Sequence, residues 1–294
     1  MSTLRELKSR IGSVASTQKT TSAMKMISSA KMRKATSGLQ RLSPYRDMVQ
    51  RVISHLLVTD QEFSSPLIEQ RDVKHIALII FGSDDGLCGA FNINIFKQLL
   101  STISDVRQAW GNDVKITIMP IGKKLTKATG KIKEAGLKVE TTTLNTRSDN
   151  DMLQQFTQQL RQRFLDKEFD RVDVLYMHFV STSRQRFSRE QLLPVSYESL
   201  AEQFDARKAA EPCLFEPDAN AIFNSVLPLH LRAMMQEVFT ESAASEHASR
   251  IMAMQTASDN AKELLDELNL EYNKLRQQSI TTELLDILGG QVER

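Results

Sequence analysis

The stretch LHLRAMMQEVFTESAASEHASRIMAMQTASDNAKELLDELNLEYNKLRQQSITTELLDIL, residues 229–288, runs for 60 positions without glycine or proline. As one α-helix it would extend roughly 90 Å, much longer than a compact domain of this size needs. It carries apolar or small residues at spacings of three and four: Met254, Ala257, Ala261, Leu264, Leu268, Tyr272 and Leu275. It therefore predicts one long helix, with Pro228 suiting its start and Gly289-Gly290 its end. Two helices joined by a turn near residues 242–249 are the alternative.

The N-terminal segment has a similar character. Only Gly12 and Gly38 weaken a helical pattern up to Ser43, and a further helical stretch reaches about residue 57, with Pro44 as a potential kink. The first apolar residues have heptad-like spacing: Leu4, Leu7, Ile11 and Val14. Two long helices of similar length predict an antiparallel coiled coil.

Charge supports this pairing. Residues 1–57 hold eleven Lys or Arg and two acids, whereas residues 240–294 hold five Lys or Arg and ten acids. Each opposite-charge contact contributes only a few tenths of a kcal/mol, on the order of 0.3, so the apolar seam supplies the main stabilisation. A basic, acid-poor N-terminus is also typical of a mitochondrial leader, but the long apolar pattern and the acidic C-terminal helix favour a structural helix.

The middle of the chain alternates strands and helices. Strands are predicted at 73–81, 114–122, 137–144 and 172–180, helices at 90–101, 122–135 and 150–166, and an edge strand or hairpin at 184–196. The fold class is therefore α/β with long α-helices: a Rossmann-like α/β domain is inserted into the coiled coil. The predicted divisions are an N-terminal helix (1–58), a central domain (73–215) and a C-terminal helix (219–288).

Composition sets further limits. The chain has 294 residues, of which 41% are hydrophobic and 25% charged, as in ordinary water-soluble globular proteins. Cys88 and Cys213 form no disulfide framework or metal spacing, which favours a reducing compartment. No apolar run approaches the roughly 18 residues that cross a bilayer.

The segment GSDDGLCGAF, residues 82–91, stands between a strand and a helix, where phosphate loops occur. It matches neither standard glycine pattern for nucleotides, and Asp84 and Asp85 would repel phosphate. A structural turn, with Gly86 and Gly89 in tight backbone conformations, is the favoured interpretation. An α/β enzyme is the alternative, and it would need a polar pocket around this segment.

No catalytic or metal-binding pattern emerges elsewhere. Cys88 has no neighbouring base motif and is expected to be buried. Histidines lack ligand spacing, and His247, beside Glu246, is expected to be exposed on the long helix: the five are His55, His75, His178, His230 and His247. We therefore predict no catalytic residues, metal or cofactor.

The segment TSAMKMISSAKMRKA, residues 21–35, combines three lysines and Arg33 with three methionines, and it contains no acid. Nine Lys or Arg between positions 8 and 46 could contact nucleic acid, as in a basic coiled-coil adaptor or scaffold. No aromatic precedes Tyr45, and the partner helix is acidic. A protein partner with acidic loops is the favoured interpretation.

Three segments resemble the gamma subunits of rotary F-type ATP synthases. They are LKSRIGSVASTQKTTSAMKMISSAKMRKA, SDDGLCGAFN, and the C-terminal region from EPDANAIFNSVLP to LLDILGG. The resemblance implies a non-catalytic rotor shaft that couples proton flow to ATP synthesis or hydrolysis by rotation. It implies partners in the alpha, beta and epsilon subunits and the c subunits of the rotor ring, with no nucleic acid and no small-molecule substrate. The absence of a leader before TLRELKSRI suggests a bacterial chain, peripheral on the cytoplasmic face of the inner membrane.

The resemblance also implies contact residues. Met24 and Lys25 correspond to the place where the family's shaft meets loops of the beta subunits, and Met24 is expected to lie level with the second contact segment and to be exposed. That segment holds Arg276, Gln277 and Thr281. Phe215, often Tyr in the family, and Glu216 correspond to the foot on the rotor ring.

Two departures from the family pattern concern other positions. Asp85 replaces the usual arginine of the central motif, so an ionic role of that arginine is not expected here. The closely spaced cysteines that serve redox control in chloroplast members are not evident.

Overall fold

The computed structural model describes residues 3–57, 63–132, 135–196 and 215–292. Two long helices, α1 (Leu4–Leu57, 54 residues) and α5 (Ala219–Val292, 74 residues), run antiparallel and pack on each other. Between them lie five strands, β1 (His75–Phe81), β2 (Lys115–Ile121), β3 (Leu137–Val139), β4 (Arg171–Phe179) and β5 (Gln185–Leu193). Three shorter helices alternate with them: α2 (Phe91–Trp110), α3 (Lys123–Thr129) and α4 (Asn150–Leu165). The predicted fold class is confirmed.

The long C-terminal helix does not start at Pro228 or stop at Gly289-Gly290, as the pattern of residues 229–288 predicts. It begins at Ala219, passes through Pro228 and continues past Gly289 and Gly290. The start is stabilised by the Asp218 carboxylate, which accepts a hydrogen bond from the Ala221 N–H at 2.8 Å. The helix tolerates Pro228 because Leu227 and Leu231 beside it are buried in the core. Each glycine costs only about 1 kcal/mol in a helix.

No break occurs near residues 242–249, so the single continuous helix is confirmed over the alternative of two. This part of α5 is held on several sides, because Ala244, Ser245 and Ala248 are fully buried. Small residues at these positions allow neighbouring elements to approach closely.

The sheet has the strand order β3-β2-β1-β4-β5. The first four strands are parallel, and β5 adds to β4 in antiparallel orientation, which confirms the predicted edge strand. At the centre, Ile79 on β1 pairs with Met119 on β2 and Val174 on β4. β3 is shorter than the predicted segment 137–144.

The end of α1 and the beginning of α5 cover one face of the sheet and share its hydrophobic core. On β1, Ile76, Leu78 and Ile80 point to the side covered by α2, and the alternate residues point to the opposite side. That opposite side is covered by the end of α1, by α4 and by the beginning of α5, with fully buried contacts from Ile53 and Phe223. The α/β region is therefore packed firmly against the part of the helix pair that is formed by the end of α1 and the beginning of α5.

Candidate functional site

The helix pair has a defined register. Ser22 Oγ lies 3.1 Å from Ser258 Oγ, and a Cβ placed on Gly38 would lie 3.5 Å from Thr240 Cγ2. Residue numbers of facing positions therefore add up to about 280, since both helices rise about 1.5 Å per residue. The small side chains at these contacts let the two helices lie close together.

This register shows that the predicted alignment of Met24 is wrong. Met24 faces the neighbourhood of Thr256, and the segment 276–281 begins some 20 residues later, about 30 Å along the helix. The reason is the unequal length of the helices, because the position that faces Leu4, the first residue of α1, is already near the start of that segment. The remainder of α5, after about residue 276, extends beyond the N-terminal end of α1.

The acid-free part of α1 presents apolar side chains to solvent. Met26 is 72% exposed and Ile27 52% exposed. Met24 and Lys25 are half-buried, so Met24 is less accessible than expected, and Ser28 is buried. An exposed apolar strip on a basic helix is a surface suited to a protein partner, and methionine adapts to different packing geometries.

The far end of α5 is also exposed. Arg276, Gln277 and Thr281 all face solvent, and the Thr281 hydroxyl donates to the carbonyl of Gln277 at 2.9 Å. Several large apolar side chains on this part of the helix are exposed as well: Leu270, Ile280, Leu284 and Leu285. Two exposed apolar surfaces therefore lie on the helix pair, one on α1 and one at the end of α5.

The predicted foot lies at the opposite end of α5. Phe215 is half-buried and packs against the core cluster that contains Phe223. The ring of Phe223 lies tilted by 35° to that of Phe63, with their centroids 4.7 Å apart. Glu216 is exposed. Cys213 lies outside the described residues.

The loop 82–91 is a closed structural turn rather than a pocket. The Asp84 carboxylate accepts hydrogen bonds from the Lys123 N–H at 3.0 Å and from the N–H and hydroxyl of Thr146 at 3.2 and 2.7 Å. Gly122, with φ of +106°, comes so close that a Cβ there would lie 2.9 Å from Gly82 and Ser83. The acidic side chain is thus used to hold neighbouring loops, and the space beside the loop is filled.

The backbone of this loop matches its prediction in part. Gly89 has φ of +58°, but the other residue in the left-handed region is Leu87, with φ of +63°, and not Gly86. Cys88 is buried as expected, and its Sγ accepts a hydrogen bond from Asn92 Nδ2 at 3.3 Å. The Asp85 carboxylate pairs with Arg147 at 2.6 Å, and this hydrogen bond lowers the pKa of Asp85.

Arg250 joins this loop to the long helix α5. Its guanidinium donates to the carbonyl oxygens of Gly86 at 3.2 Å and Asp85 at 3.3 Å, and it pairs with Glu246 at 2.7 Å. Arg250 and Glu246 are both buried, with about one twentieth of their surface exposed. Burial raises the pKa of the Glu246 carboxyl, and Arg250 opposes that shift. This connection was missed from the sequence, although the four-residue spacing of the pair was visible.

The prediction that His247 is exposed is wrong. His247 is half-buried, and its Nδ1 lies 3.0 Å from Arg250 Nη1. Burial, and then the neighbouring charge of Arg250, lowers the pKa of His247 to about 4. The helix face that carries it is covered because the α/β region packs there.

A second set of contacts joins the sheet and the two long helices nearer to the beginning of α5. His178 on β4 contacts Glu241 on α5, Nδ1 to Oε2, at 2.6 Å. Arg46 on α1 pairs with Glu237 on α5. Burial raises the pKa of both Glu237 and Glu241. These residues border a cavity of about 650 Å³ between α1, β4, β5 and α5.

The hairpin between β4 and β5 reaches both long helices. Thr182 Oγ1 lies 3.8 Å from Met32 Sδ on α1, and Ser249 Oγ on α5 donates to Gln185 Oε1 at 3.1 Å. The α/β region therefore contacts the helix pair at several positions along its length. Contacts to both helices resist rotation of this region about their common axis.

Within the described ranges, no three His, Cys, Asp or Glu residues are arranged to hold a metal ion. In that same part of the chain, none of the helices combines the length and the apolar character needed to cross a membrane.

Comparison with known proteins gives consistent matches. The family model described as "ATP synthase" matches residues 3–292. The chain is 38% identical to the ATP synthase gamma chain of Bacteroides thetaiotaomicron, covering 100% of both chains, and 39% identical to that of Phocaeicola vulgatus, covering 99% of each. Its fold is similar to a chain of the Euglena gracilis mitochondrial ATP synthase structure (OSCP/F1/c-ring, rotational state 3), with a TM-score of 0.66 at 21% identity, covering 98% of this chain and 93% of that one.

Proposed function

The chain belongs to the ATP synthase gamma-chain family, and on that premise we propose that it is the central shaft of a rotary ATP synthase. The shaft transmits rotation between a proton-driven rotor ring and the catalytic head, so that proton flow is coupled to ATP synthesis or hydrolysis. It is a non-catalytic subunit, because it works by presenting an asymmetric surface that biases the conformations of its partners.

The observation that carries this proposal is the shape of the helix pair. α1 and α5 form a long antiparallel rod, and α5 continues beyond α1 as a single helix. The α/β region is attached to one side of the rod through Arg250, His178 and the β4–β5 hairpin. A rod with a rigid side body can transmit torque, because the side body cannot turn independently.

The proposed partners follow the exposed surfaces. The alpha and beta subunits surround the part of the rod that contains the N-terminal half of α1 and the C-terminal half of α5. There, Met24 and Lys25 on α1 meet acidic loops of beta. Opposite charges favour that encounter, and the exposed methionine next to them adapts to partners that change shape. Because of the register, the segment with Arg276, Gln277 and Thr281 contacts the head about 30 Å away along the rod, and not at the level of Met24.

The opposite end is the proposed foot. Glu216 and the exposed part of Phe215 contact the c subunits of the rotor ring, and the epsilon subunit binds beside them. The division into an N-terminal helix (1–58), a central domain (73–215) and a C-terminal helix (219–288) belongs to this proposal. So does a peripheral position on the cytoplasmic face of the bacterial inner membrane.

Affinity purification of the full chain from native membranes tests the proposal. We expect alpha, beta, epsilon and c subunits to co-purify with it, and the isolated chain to hydrolyse no ATP. Brisk ATP hydrolysis by the isolated chain would contradict the shaft assignment. Salt-sensitive binding of the intact chain to DNA or RNA, without any head subunit, would favour the basic adaptor instead.

A further inference from the structure

α4 and α5 meet along a polar seam on the outer side of the α/β region. Gln236 Nε2 donates to Asn150 Oδ1 at 2.7 Å, and Arg232 Nη1 donates to Gln154 Oε1 at 3.3 Å. Farther along α4, no side-chain hydrogen bond within the described ranges joins the two helices. A groove of about 240 Å³ opens there, bordered by Arg161 as well as Arg232.

The groove is rich in hydrogen-bond donors. Arg161 Nε is buried and has no acceptor among the described residues, and the guanidinium forms no ion pair within them. Arg232 is bonded only to the neutral carboxamide of Gln154 in that part of the chain. Gln158 adds a second carboxamide to the lining, and no Asp or Glu lines the groove. A buried N–H donor without an acceptor is unfavourable, so this site favours a ligand that supplies acceptors.

We propose that this groove binds a phosphate-like oxyanion between Arg161 and Arg232. The planar guanidinium fork matches the oxygen geometry of phosphate, and a tetrahedral oxyanion offers acceptors to both arginines and to the carboxamides of Gln154 and Gln158. The volume is below the roughly 300 Å³ at which pockets for drug-sized ligands begin, so a phosphate group fits and a whole nucleotide does not.

Two sources share this chemistry: free inorganic phosphate and the phosphate of an anionic lipid headgroup. Both present oxygens that a guanidinium binds in the same way, so the experiment needs an arm for each. The site does not depend on the rotary function. Its failure would leave the shaft assignment intact, because that assignment is tested by co-purification.

Calorimetric titration of the purified full chain with inorganic phosphate, at constant ionic strength, provides the first arm. We expect one saturable site, weakened at least about tenfold by Arg161→Gln and by Arg232→Gln, since each change removes a charge-assisted hydrogen bond. Arg41→Gln is the matched control, because Arg41 is an exposed helical arginine that does not line the groove. Arg232 is exposed, so its variant preserves the test if Arg161→Gln does not fold.

Co-sedimentation with phosphatidylcholine vesicles, with and without phosphatidic acid, provides the second arm. Binding that requires phosphatidic acid and falls in the Arg161 and Arg232 variants identifies the headgroup as a source. Phosphate binding without vesicle binding identifies the free ion. If neither probe binds, or if both variants bind like Arg41→Gln, the proposal is overturned. The two arginines would then be hydrated or paired with an acidic side chain of a partner protein.

Discussion

Arg250 Nε lies 3.2 Å from the carbonyl oxygen of Gly86, although the two residues are 164 positions apart in the chain. This contact joins the loop after β1 to the long helix α5, and the same guanidinium satisfies the buried carboxylate of Glu246. One side chain thus fixes the α/β region to the rod and neutralises a buried charge.

Replacing Arg250 by methionine should destabilise the protein by roughly 3 kcal/mol, because a buried carboxylate loses its partner. The midpoint of urea denaturation of the full chain measures the loss. The double variant Arg250→Met/Glu246→Leu should recover part of it, since no uncompensated charge remains. A double variant as unstable as Arg250→Met alone would show that the loop contacts, and not the ion pair, dominate.

Stability should depend on pH through His230, which borders the cavity of about 650 Å³ between α1, β4, β5 and α5. Burial lowers its pKa from 6.5 to about 4. Between these values the unfolded chain binds a proton that the folded chain does not, so stability is full above pH 6.5 and falls as the pH drops towards 4, by at most about 3 kcal/mol.

The comparison with His230→Leu isolates this effect. Burial raises the pKa of Glu237 and Glu241, which act in the opposite direction but are present in both proteins. Thermal unfolding midpoints of the variant should vary less between pH 6.5 and 5 than those of the parent chain. Parallel curves for the two proteins would contradict the assignment.

Met24→Lys should impair coupling more than folding. An added cation in the acid-free segment 21–35 of α1 would bind acidic loops of a partner too tightly and would slow rotation. ATP-driven proton pumping in membrane vesicles should fall several-fold while the chain still assembles. Met152→Lys, on an exposed site of α4, is the control and should pump normally; equal pumping by both variants would remove Met24 from the contact surface.

Arg276→Ala should also reduce proton pumping, with a change in stability within about 0.5 kcal/mol, because the side chain is exposed and lies level with the first residue of α1. Pumping and urea denaturation are measured on the same preparation. Lys97→Ala, exposed on α2, serves as the reference. A large loss of stability with normal pumping would assign Arg276 a structural role instead.

Leu268→Pro should cost about 3 kcal/mol or more, because it removes a backbone hydrogen bond within α5 and places a ring against the preceding turn. The variant should not co-purify with the catalytic head. Leu268→Met keeps the volume of this buried residue and should assemble normally. Assembly of the proline variant at parental yield would argue against a continuous helix at this position.

Helix and strand positions were predictable because they depend on local patterns. The apolar spacing of α1 and α5 and the apolar runs of β1 and β4 lie within segments of the chain, and these elements lie close to their predicted positions in the structure. The family was equally accessible, since its motifs are contiguous in sequence. Terminal residues of α5 were less predictable, because Pro228 and the glycines are tolerated where packing supports the helix.

The sequence by itself therefore determined two long helices, an inserted α/β sheet and a basic, acid-free strip on α1. Tertiary structure decided how far one helix is displaced along the other, which places Met24 opposite Thr256, and which polar residues of α5 are buried. It also decided that Arg250 meets Gly86 and that His247 is covered. The physical reason is that these features depend on contacts between residues more than 150 positions apart, whose energies no local periodicity encodes.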